Sequence, residues 1–372
     1  MTDMALPQPV AGRSPWIDAW GRLKANKAAV VSAVYILLMA LVCIAGPWFL
    51  PHPFTTIFAD YVRVPPSFSA YPKPEMIESA LADVARSAHV NMISWKEEDG
   101  RVYVTVSSAK PVDERVVRYL DRSNVFDDAR VESKSADGLT LVMSGTVQHE
   151  YFYFGTENSG RDLLVRTLVA GRVSMMVGLL GGVVAVMIGV LYGAASGFLG
   201  GKTDEVMMRI VDVLYSLPFI FFVIMLVVFF GRNFVLMFLA IGAVLWLDMA
   251  RIVRGQALSI RRQEYVQAAE ALGVSQAGIL LRHVVPNLLG PVVIYMTLLV
   301  PQVIILESFL SFLGLGVQEP MTSWGVLISQ GAKNIGSANW LLLFPVFFLA
   351  STLFGLNFIG DGLRDALDPK DR

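Results

Sequence analysis

In residues 264–287, the residue types and their spacing predict the local structure more clearly than elsewhere in this sequence. Good helix formers fill positions 263–272, and Gly273 can then take the left-handed conformation that ends a helix. Ser275 can cap a second short helix, and Pro286 marks the start of the next long one. The pattern predicts two short helices around a tight turn. Such a unit suits docking into a groove rather than making or breaking bonds.

Other patterns that could do chemistry are incomplete. Gly201-Lys202-Thr203 resembles the end of a phosphate-binding loop, but the required earlier glycine is Ser196, and an apolar helix is expected where a buried strand is needed. His89 and His149 lack carboxylate or cysteine partners at metal-ligand spacing. No zinc-protease, nucleophile-elbow or paired-carboxylate pattern is visible. The sequence therefore predicts no enzyme, no metal and no other cofactor in this chain.

The composition is that of a polytopic membrane protein. Hydrophobic residues make up 55% of the 372 positions and charged residues only 16%. The net charge of -1 gives no overall attraction to nucleic acid, and the informative quantity is where the charges lie along the chain. Cys43 is the single cysteine, which excludes an intramolecular disulfide.

Six apolar stretches are predicted to span the membrane, because about 20 apolar residues in a helix cross a hydrocarbon core of about 30 Å. These stretches are 28–50, 173–201, 213–231, 234–247, 288–306 and 340–359. The first is longer than the apolar run of about 7 to 15 residues in a signal peptide, which favours a retained anchor over a cleaved signal. Asp248, just after the fourth stretch, is interpreted as a charge at the membrane boundary rather than a substrate ligand.

Positive charges in the short loops predict the orientation. They gather before the first stretch, after the second, after the fourth and after the last: Arg13, Arg22, Lys24, Lys27, Lys202, Arg209, Arg251, Arg254, Arg261, Arg262, Arg282, Arg364, Lys370 and Arg372. Both termini are therefore expected in the cytoplasm. Residues 1–27 form a cytoplasmic N-terminal segment, and 251–287 form a cytoplasmic loop.

Glycines recur mostly every four residues along the second stretch. They are Gly178, Gly182, Gly189, Gly193, Gly197 and Gly201. This spacing lines one helical face with residues that lack a side chain, and it predicts close approach to another helix. The alternative is that they are scattered membrane glycines.

Residues 60–150 break the apolar pattern and predict a small exported α+β domain. A helix is expected at 75–88, followed by strands at 91–96 and 101–107 around Asp99-Gly100, which is a hairpin signal. The order then recurs, with a helix at 112–121 and strands at 129–134 and 139–147 around Asp137-Gly138. The recurrence indicates a duplicated helix–hairpin unit.

The cytoplasmic loop also resembles a known family. Ala268, Ala269, Gly273 and Pro286 match the "EAA" loop of binding-protein-dependent ABC importer permeases, where Gln267 replaces the glutamate and His283 replaces the usual isoleucine. In that family the loop is the coupling helix that docks into a cleft of the ATP-binding subunit. The resemblance assigns this coupling role to Glu264, Gln267, Ala268, Ala269, Gly273, His283 and Pro286.

Further segments resemble the oligopeptide and dipeptide branch of the family, in its OppC/DppC-type subunit. They lie in order at 154–162, 172–174, 212–218, 250–256, 307–316, 323–325 and 357–369. The motif residues are Gly155, Thr156, Gly160, Arg161, Asp162, Asp212, Ser216, Pro218, Arg251, Arg254, Glu307, Gly314, Gly316, Trp324, Asp361, Asp368 and Pro369. The family pattern does not include the exported domain.

The expected fold is an all-α polytopic membrane protein with six transmembrane helices and an α+β insert between the first two. Residues 28–50 form the first helix, 60–150 the insert, and 154–372 a permease core with five helices. The resemblance implies a multi-pass subunit in a bacterial cytoplasmic (inner) membrane. It also implies alternating access driven by ATP and Mg on separate subunits.

The resemblance further implies the partners and the substrate. The partners are a second, OppB/DppB-like permease, two ATP-binding subunits and an extracytoplasmic substrate-binding protein, and the substrate is a peptide. Nickel or another small solute is an alternative cargo. A secondary transporter would need ionisable mid-span residues and inverted repeats, which are not clear here. A membrane anchor that displays the external domain would leave the 251–287 loop unexplained.

Overall fold

The computed structural model describes residues 15–231 and 233–367. Its helices are α1 Pro15–Ala25, α2 Lys27–Phe49, α3 Pro74–Ser87, α4 Arg118–Asp121, α5 Leu163–Leu199, α6 Gly201–Ser216, α7 Phe219–Phe230, α8 Phe234–Arg261, α9 Glu264–Ala271, α10 Gln276–Ile279, α11 Val285–Phe312, α12 Trp324–Ala332 and α13 Trp340–Leu367. The strands are β1 Asn91–Glu98, β2 Arg101–Ser107, β3 Phe126–Lys134 and β4 Thr140–Val147.

The chain forms two compact units. We call them the helical unit, which holds the described residues of Met1–Ile44, Ala170–Val326 and Val346–Arg372, and the sheet unit, which holds Ala45–Val169 and Leu327–Pro345.

Five helices are long and apolar enough to cross a membrane among the described residues, or six if α6 and α7 count as one broken span. The bounds differ from the sequence prediction. Helix α5 begins at Leu163, ten positions before the expected start at residue 173, and α8 continues to Arg261 instead of ending at residue 247. The third predicted stretch is bent by 86° between α6 and α7, where Pro218 interrupts the helix.

Glycines of α5 allow two helices to approach its backbone. A Cβ at Gly193 or Gly197 would collide with the backbone of α8, and a Cβ at Gly178 would collide with Ile304 of α11. The four-residue spacing therefore serves close helix packing, as the sequence indicates. Gly201 lies outside this contact, because nothing lies within 4 Å of its position for a Cβ.

The sheet unit contains a four-stranded antiparallel sheet in the order β1-β2-β4-β3. Alternate residues of the central strands point into one core, because successive side chains of a strand point to opposite faces. Val102, Val104 and Val106 of β2 and Leu141 and Met143 of β4 are fully or almost fully buried there. Helix α3 adds Ile77, Leu81 and Val84 to the same core.

The two hairpins are less alike than the sequence repeat suggests. Asp99 and Gly100 both have positive φ, as a two-residue hairpin turn requires. The second connection runs from residue 135 to 139, so β4 starts at Thr140 and the turn is longer. The second helix, expected over 112–121, is only a 3₁₀ turn at Glu114–Val117 followed by the single turn α4.

Candidate functional site

Local hydrogen bonds end the first helix of the predicted two-helix segment, residues 264–284. The amide of Val274 donates to the carbonyl of Ala269 at 3.1 Å, and the amide of Gly273 donates to Glu270 at 3.0 Å. These two bonds close α9 in a Schellman motif. Gly273 has φ of 77°, and the space for a Cβ is open, so conformation rather than crowding requires glycine there.

The second helix is capped as its sequence suggests and then changes geometry. Ser275 Oγ accepts a hydrogen bond from the Gly278 amide at 3.2 Å. A π-helical turn, Leu280–Val284, follows α10 and contains His283. The Asn287 side chain donates to the His283 carbonyl at 2.6 Å, so this turn is tied to the start of α11. π-turns of this kind are frequent at functional sites.

One face of the segment is buried in the helical unit. Val266, Ala269 and Ile279 join a core with Ala257 of α8 and Leu288 of α11. The family resemblance assigns both Ala268 and Ala269 to the coupling contact, but Ala269 packs inside the chain itself and only Ala268 is exposed. Helix α9 therefore shares a buried core with α8 and α11.

The opposite face is exposed and apolar. Leu272 is 83% exposed and Leu281 is 60% exposed, and Tyr265 and Val274 are also exposed. Sequence reasoning overlooked these four side chains, although Leu272 and Val274 directly flank Gly273 in the sequence. The exposed predicted residues on this segment are Glu264, Gln267, Ala268, Gly273 and Pro286, whereas His283 is half-buried.

Two ion pairs join α6 to α8. The Arg254 guanidinium donates from Nε and Nη2 to the two carboxylate oxygens of Asp204, each at 2.6 Å. One turn away along α8, Arg251 Nη2 donates to Asp212 Oδ1 at 2.9 Å. The arginines and Asp212 are predicted motif residues, whereas sequence reasoning missed Asp204. Ser216 donates to the Val213 carbonyl just before the break at Pro218.

Glu307 lies in a buried group of hydroxyls at the end of α11. Ser311 Oγ donates to Oε1 at 2.7 Å, and Ser174 Oγ donates to Oε2 at 3.2 Å. The Trp324 amide donates to Ser174 Oγ at 3.2 Å, and the Trp324 side chain is fully buried. The structure thus brings two predicted motif residues into one network, which supplies the partners a buried carboxyl needs.

Two predicted glycines lie in the turn after α11. Gly314 has φ of 78°. A Cβ at Gly316 would collide with Ser311, which holds Glu307. Gly316 therefore leaves room for Ser311 in this network, and Gly314 provides the left-handed conformation of the turn.

The predicted residues of 154–162 hold a loop of the sheet unit. Gly155 and Gly160 have positive φ, and a Cβ at either would collide with the carbonyls of Val64 and Phe58, respectively. Thr156 Oγ1 accepts from the Val64 amide at 3.0 Å. Arg161 pairs with Glu157 at 3.4 Å.

A histidine that sequence reasoning missed contacts this loop at Asp162. His52 is 4% exposed, and its Nδ1 and Nε2 lie 2.8 Å from carboxylate oxygens of Asp162 and Glu150, respectively. Both nitrogens can donate only when the ring is protonated. Burial opposes that charge, but hydrogen bonds and charges of the two carboxylates outweigh it and raise the pKa of His52.

Asp162 has a second role at the start of α5. Its Oδ1 accepts from the Leu164 amide at 2.8 Å, so the carboxylate caps the helix as well as pairing with His52. Three predicted motif residues remain, all near the C-terminal end of the sequence. Asp361 is exposed on α13, and Asp368 and Pro369 lie outside the described residues.

Comparison with known proteins places the chain in a family. The family model described as "Binding-protein-dependent transport system inner membrane component" matches residues 185–372, which is half of the chain. The chain belongs to this family. The match includes the exposed segment and both α6–α8 ion pairs. A second model, the "N-terminal TM domain of oligopeptide transport permease C", matches residues 14–66 of this family member.

Individual members of the family are similar over most of their length. The oligopeptide transport system permease protein OppC of Escherichia coli (strain K12) is 64% identical over 220 residues, which cover 59% of this chain and 73% of that protein. OppC of Haemophilus influenzae is 60% identical over 232 residues, which cover 62% and 75%. The dipeptide transport system permease protein DppC of Bacillus subtilis is 45% identical over 221 residues, which cover 59% and 69%.

A solved structure is also similar. It is an inward-facing conformation of the MetNI methionine ABC transporter, with a TM-score of 0.46 and 19% identity over 55% of this chain and 96% of that one.

Proposed function

We propose that this chain is a transmembrane permease subunit of an ATP-driven importer of peptides. The observation that carries the proposal is the family match together with the exposed apolar face of residues 264–284 inside the matched range. The similarity to relatives named for oligopeptide and dipeptide transport supports a peptide substrate.

The proposed complex contains further chains. They are a second, different permease, two ATP-binding subunits that bind ATP and Mg, and an extracytoplasmic substrate-binding protein. The present chain binds no cofactor of its own. In this arrangement both termini and the 264–284 segment are cytoplasmic, α6 and α7 form one broken span of six, and the sheet of the sheet unit is an extracytoplasmic α+β insert.

The mechanism follows from the two faces of the segment. Leu272 and Leu281 offer apolar surface to a cleft of the ATP-binding subunit, and their exposure in the isolated chain favours such a partner. Val266 and Ile279, on the buried face, pack with α8 and α11. When the ATP-binding subunits close, the segment moves with them, and the long helices reorient a central pathway.

Copurification tests the coupling part. We expect Leu272→Asp to reduce recovery of the ATP-binding subunits with the tagged permease by about tenfold, because a charge replaces a central apolar contact. Ile93→Asp is the matched control, since Ile93 is 60% exposed on β1 and lies on the other side of the membrane in the proposed topology. Equal recovery with both variants would refute the docking face.

Single-cysteine labelling tests the topology. In a Cys43→Ser background, a cysteine at Ala271 should react with a membrane-impermeant maleimide only after cells are opened. A cysteine at Ser94 on β1 should react in intact spheroplasts. The reverse pattern would contradict the proposed orientation.

Uptake into proteoliposomes tests the substrate. The purified complex with its binding protein should accumulate labelled peptide when ATP is enclosed on the cytoplasmic side. ATP-dependent uptake of nickel without peptide uptake would replace the peptide assignment with the metal alternative. Uptake that needs an ion gradient and no ATP would refute the importer class.

A further inference from the structure

A cavity of about 470 Å³ opens where α6 breaks into α7, beside α8 and α11. Its walls are mostly leucine and aromatic side chains, with Leu214 and Leu217 before the break, Phe222 after it, and Leu306 on α11. The volume lies in the range of small-ligand sites, about 300 to 1,000 Å³. The family motif at 212–218 therefore provides part of the wall of a cavity in a membrane-spanning region.

Asp248 is the one carboxylate among the described residues that line this cavity. The Tyr215 ring is also part of the lining. Sequence reasoning interprets Asp248 as a boundary charge because the apolar run ends at residue 247. The structure differs, because α8 continues for more than three turns beyond it and Asp248 is half-buried. An ionisable residue in such a place calls for a function.

The neighbouring acidic residues are paired, whereas Asp248 has no such partner among the described residues. Asp204 is held by Arg254, and Asp212 is held by Arg251. The Arg251 guanidinium also lies over the Tyr215 ring at 4.3 Å, so the nearest cation along α8 is already engaged. Within residues 15–231 and 233–367, no side chain forms an ion pair or hydrogen bond with the Asp248 carboxylate.

The chemistry of the cavity selects its ligand. One carboxylate in apolar walls suits a single ammonium group on an apolar body, since a charge-assisted hydrogen bond is roughly twice as strong as a neutral one. A divalent metal ion needs several oxygen ligands, and the described residues contain no group of three His, Cys, Asp or Glu that could hold one. A carboxylate ligand, such as the carboxyl end of a peptide, would be repelled.

We propose that this cavity receives the amino-terminal end of the translocating peptide, and that Asp248 binds its ammonium group. The inference rests on the proposed peptide function and adds the polarity with which the peptide is held. The first side chains of the peptide pack against Leu214, Leu217 and Phe222. Since these residues flank the break at Pro218, a shift of α7 relative to α6 opens or closes the site.

Transport with matched peptides tests the inference. The complete transporter is reconstituted in vesicles of phosphatidylcholine and phosphatidylglycerol, which carry no primary amine. It is supplied with binding protein loaded to equal occupancy with one labelled peptide, either with a free amino end or acetylated. Uptake and binding-protein-stimulated ATP hydrolysis are measured for the unchanged chain, for Asp248→Asn and Asp248→Glu, and for Glu205→Gln, which removes an exposed carboxylate of α6.

We expect Asp248→Asn to lower uptake of the free peptide by about tenfold and to leave the acetylated peptide unchanged. Asp248→Glu should restore part of the loss, and Glu205→Gln should change neither uptake. An equal loss for both peptides would overturn the inference. So would loss of the second permease from the complex with Asp248→Asn, because the cation would then belong to that partner.

The same experiment separates this inference from the proposed function. If the unchanged transporter hydrolyses ATP in response to binding protein but takes up neither peptide, the peptide function fails and the inference with it. If it takes up both forms equally and Asp248→Asn has no effect, the peptide function stands and the inference fails.

Discussion

The imidazole Nδ1 of His52 lies 2.8 Å from Asp162 Oδ2, and the same carboxylate caps α5 through the amide of Leu164. A buried imidazolium thus connects the loop after α2 to the start of the next long helix. Glu150 holds the other ring nitrogen.

The contacts of His52 with Asp162 and Glu150 predict a loss of stability as the pH rises. Because the pKa of His52 is raised in the folded protein, its stabilising contribution is complete below the ordinary pKa and disappears as the pH rises through the folded-state pKa. Hydrogen exchange of the Phe58 and Val64 amides should be about tenfold slower in the unchanged protein than in His52→Gln at low pH.

The difference should shrink at high pH. Comparing the two proteins at each pH removes the intrinsic pH dependence of exchange. His89→Gln is the control, because His89 is exposed. A ratio that does not change with pH would contradict the role of the charge.

Gly273→Val is expected to uncouple ATP hydrolysis from uptake. A β-branched residue at a φ of 77° costs about 1–2 kcal/mol or more, and the turn that positions Leu272 must then change. Gly273→Asn is the matched control, because asparagine tolerates this conformation. The ratio of peptide imported to ATP hydrolysed should fall for valine and stay near normal for asparagine. Normal uptake with valine would contradict a coupling role for the turn.

Arg254→Lys should destabilise the contact of α6 with α8. Lysine cannot reproduce the two bonds to Asp204. The expected cost is about 1 kcal/mol, which is below the usual range for charged hydrogen bonds because the guanidinium is partly exposed and solvent screens the pair. The midpoint of thermal unfolding of the purified complex should fall. Arg262→Lys, on an exposed side chain, should leave it unchanged. Identical midpoints would indicate that the pair adds nothing.

The sheet can be removed at a defined place. Tyr71 and Glu150 exchange two backbone hydrogen bonds, at 2.8 and 2.9 Å, where the chain enters and leaves residues 72–149. Replacing those residues with an Asn-Gly turn should keep the partner contacts of His52 and the recovery of the ATP-binding subunits. Loss of those subunits from a folded, membrane-inserted variant would show that the excised residues contribute to docking.

Local signals were readable from the sequence, and tertiary partners were not. Gly273, Ser275 and Asp99-Gly100 act through neighbours a few residues away, so their geometry followed from residue type. The end of α8 did not, because the apolar run stops at residue 247 while Arg251 and Arg254 find their partners on α6. His52 was overlooked for the same reason, since its two partners are 98 and 110 residues away.

The buried position of Ala269 shows a different limit. A small residue allows close packing on either side of a helix, and its type alone does not say whether the neighbour belongs to the same chain. The core with Ala257 and Leu288 decides that question here.

Arg254 has a consequence beyond its ion pair. Its carbonyl lies against Gly197 of α5, its own backbone belongs to α8, and its guanidinium holds Asp204 of α6. A single methyl group at position 197 would therefore act as a wedge that displaces Arg254 and, through it, a third helix that residue 197 is not shown to touch. Arg254 therefore links α5, α6 and α8 at one junction, so that a change at position 197 reaches all three helices.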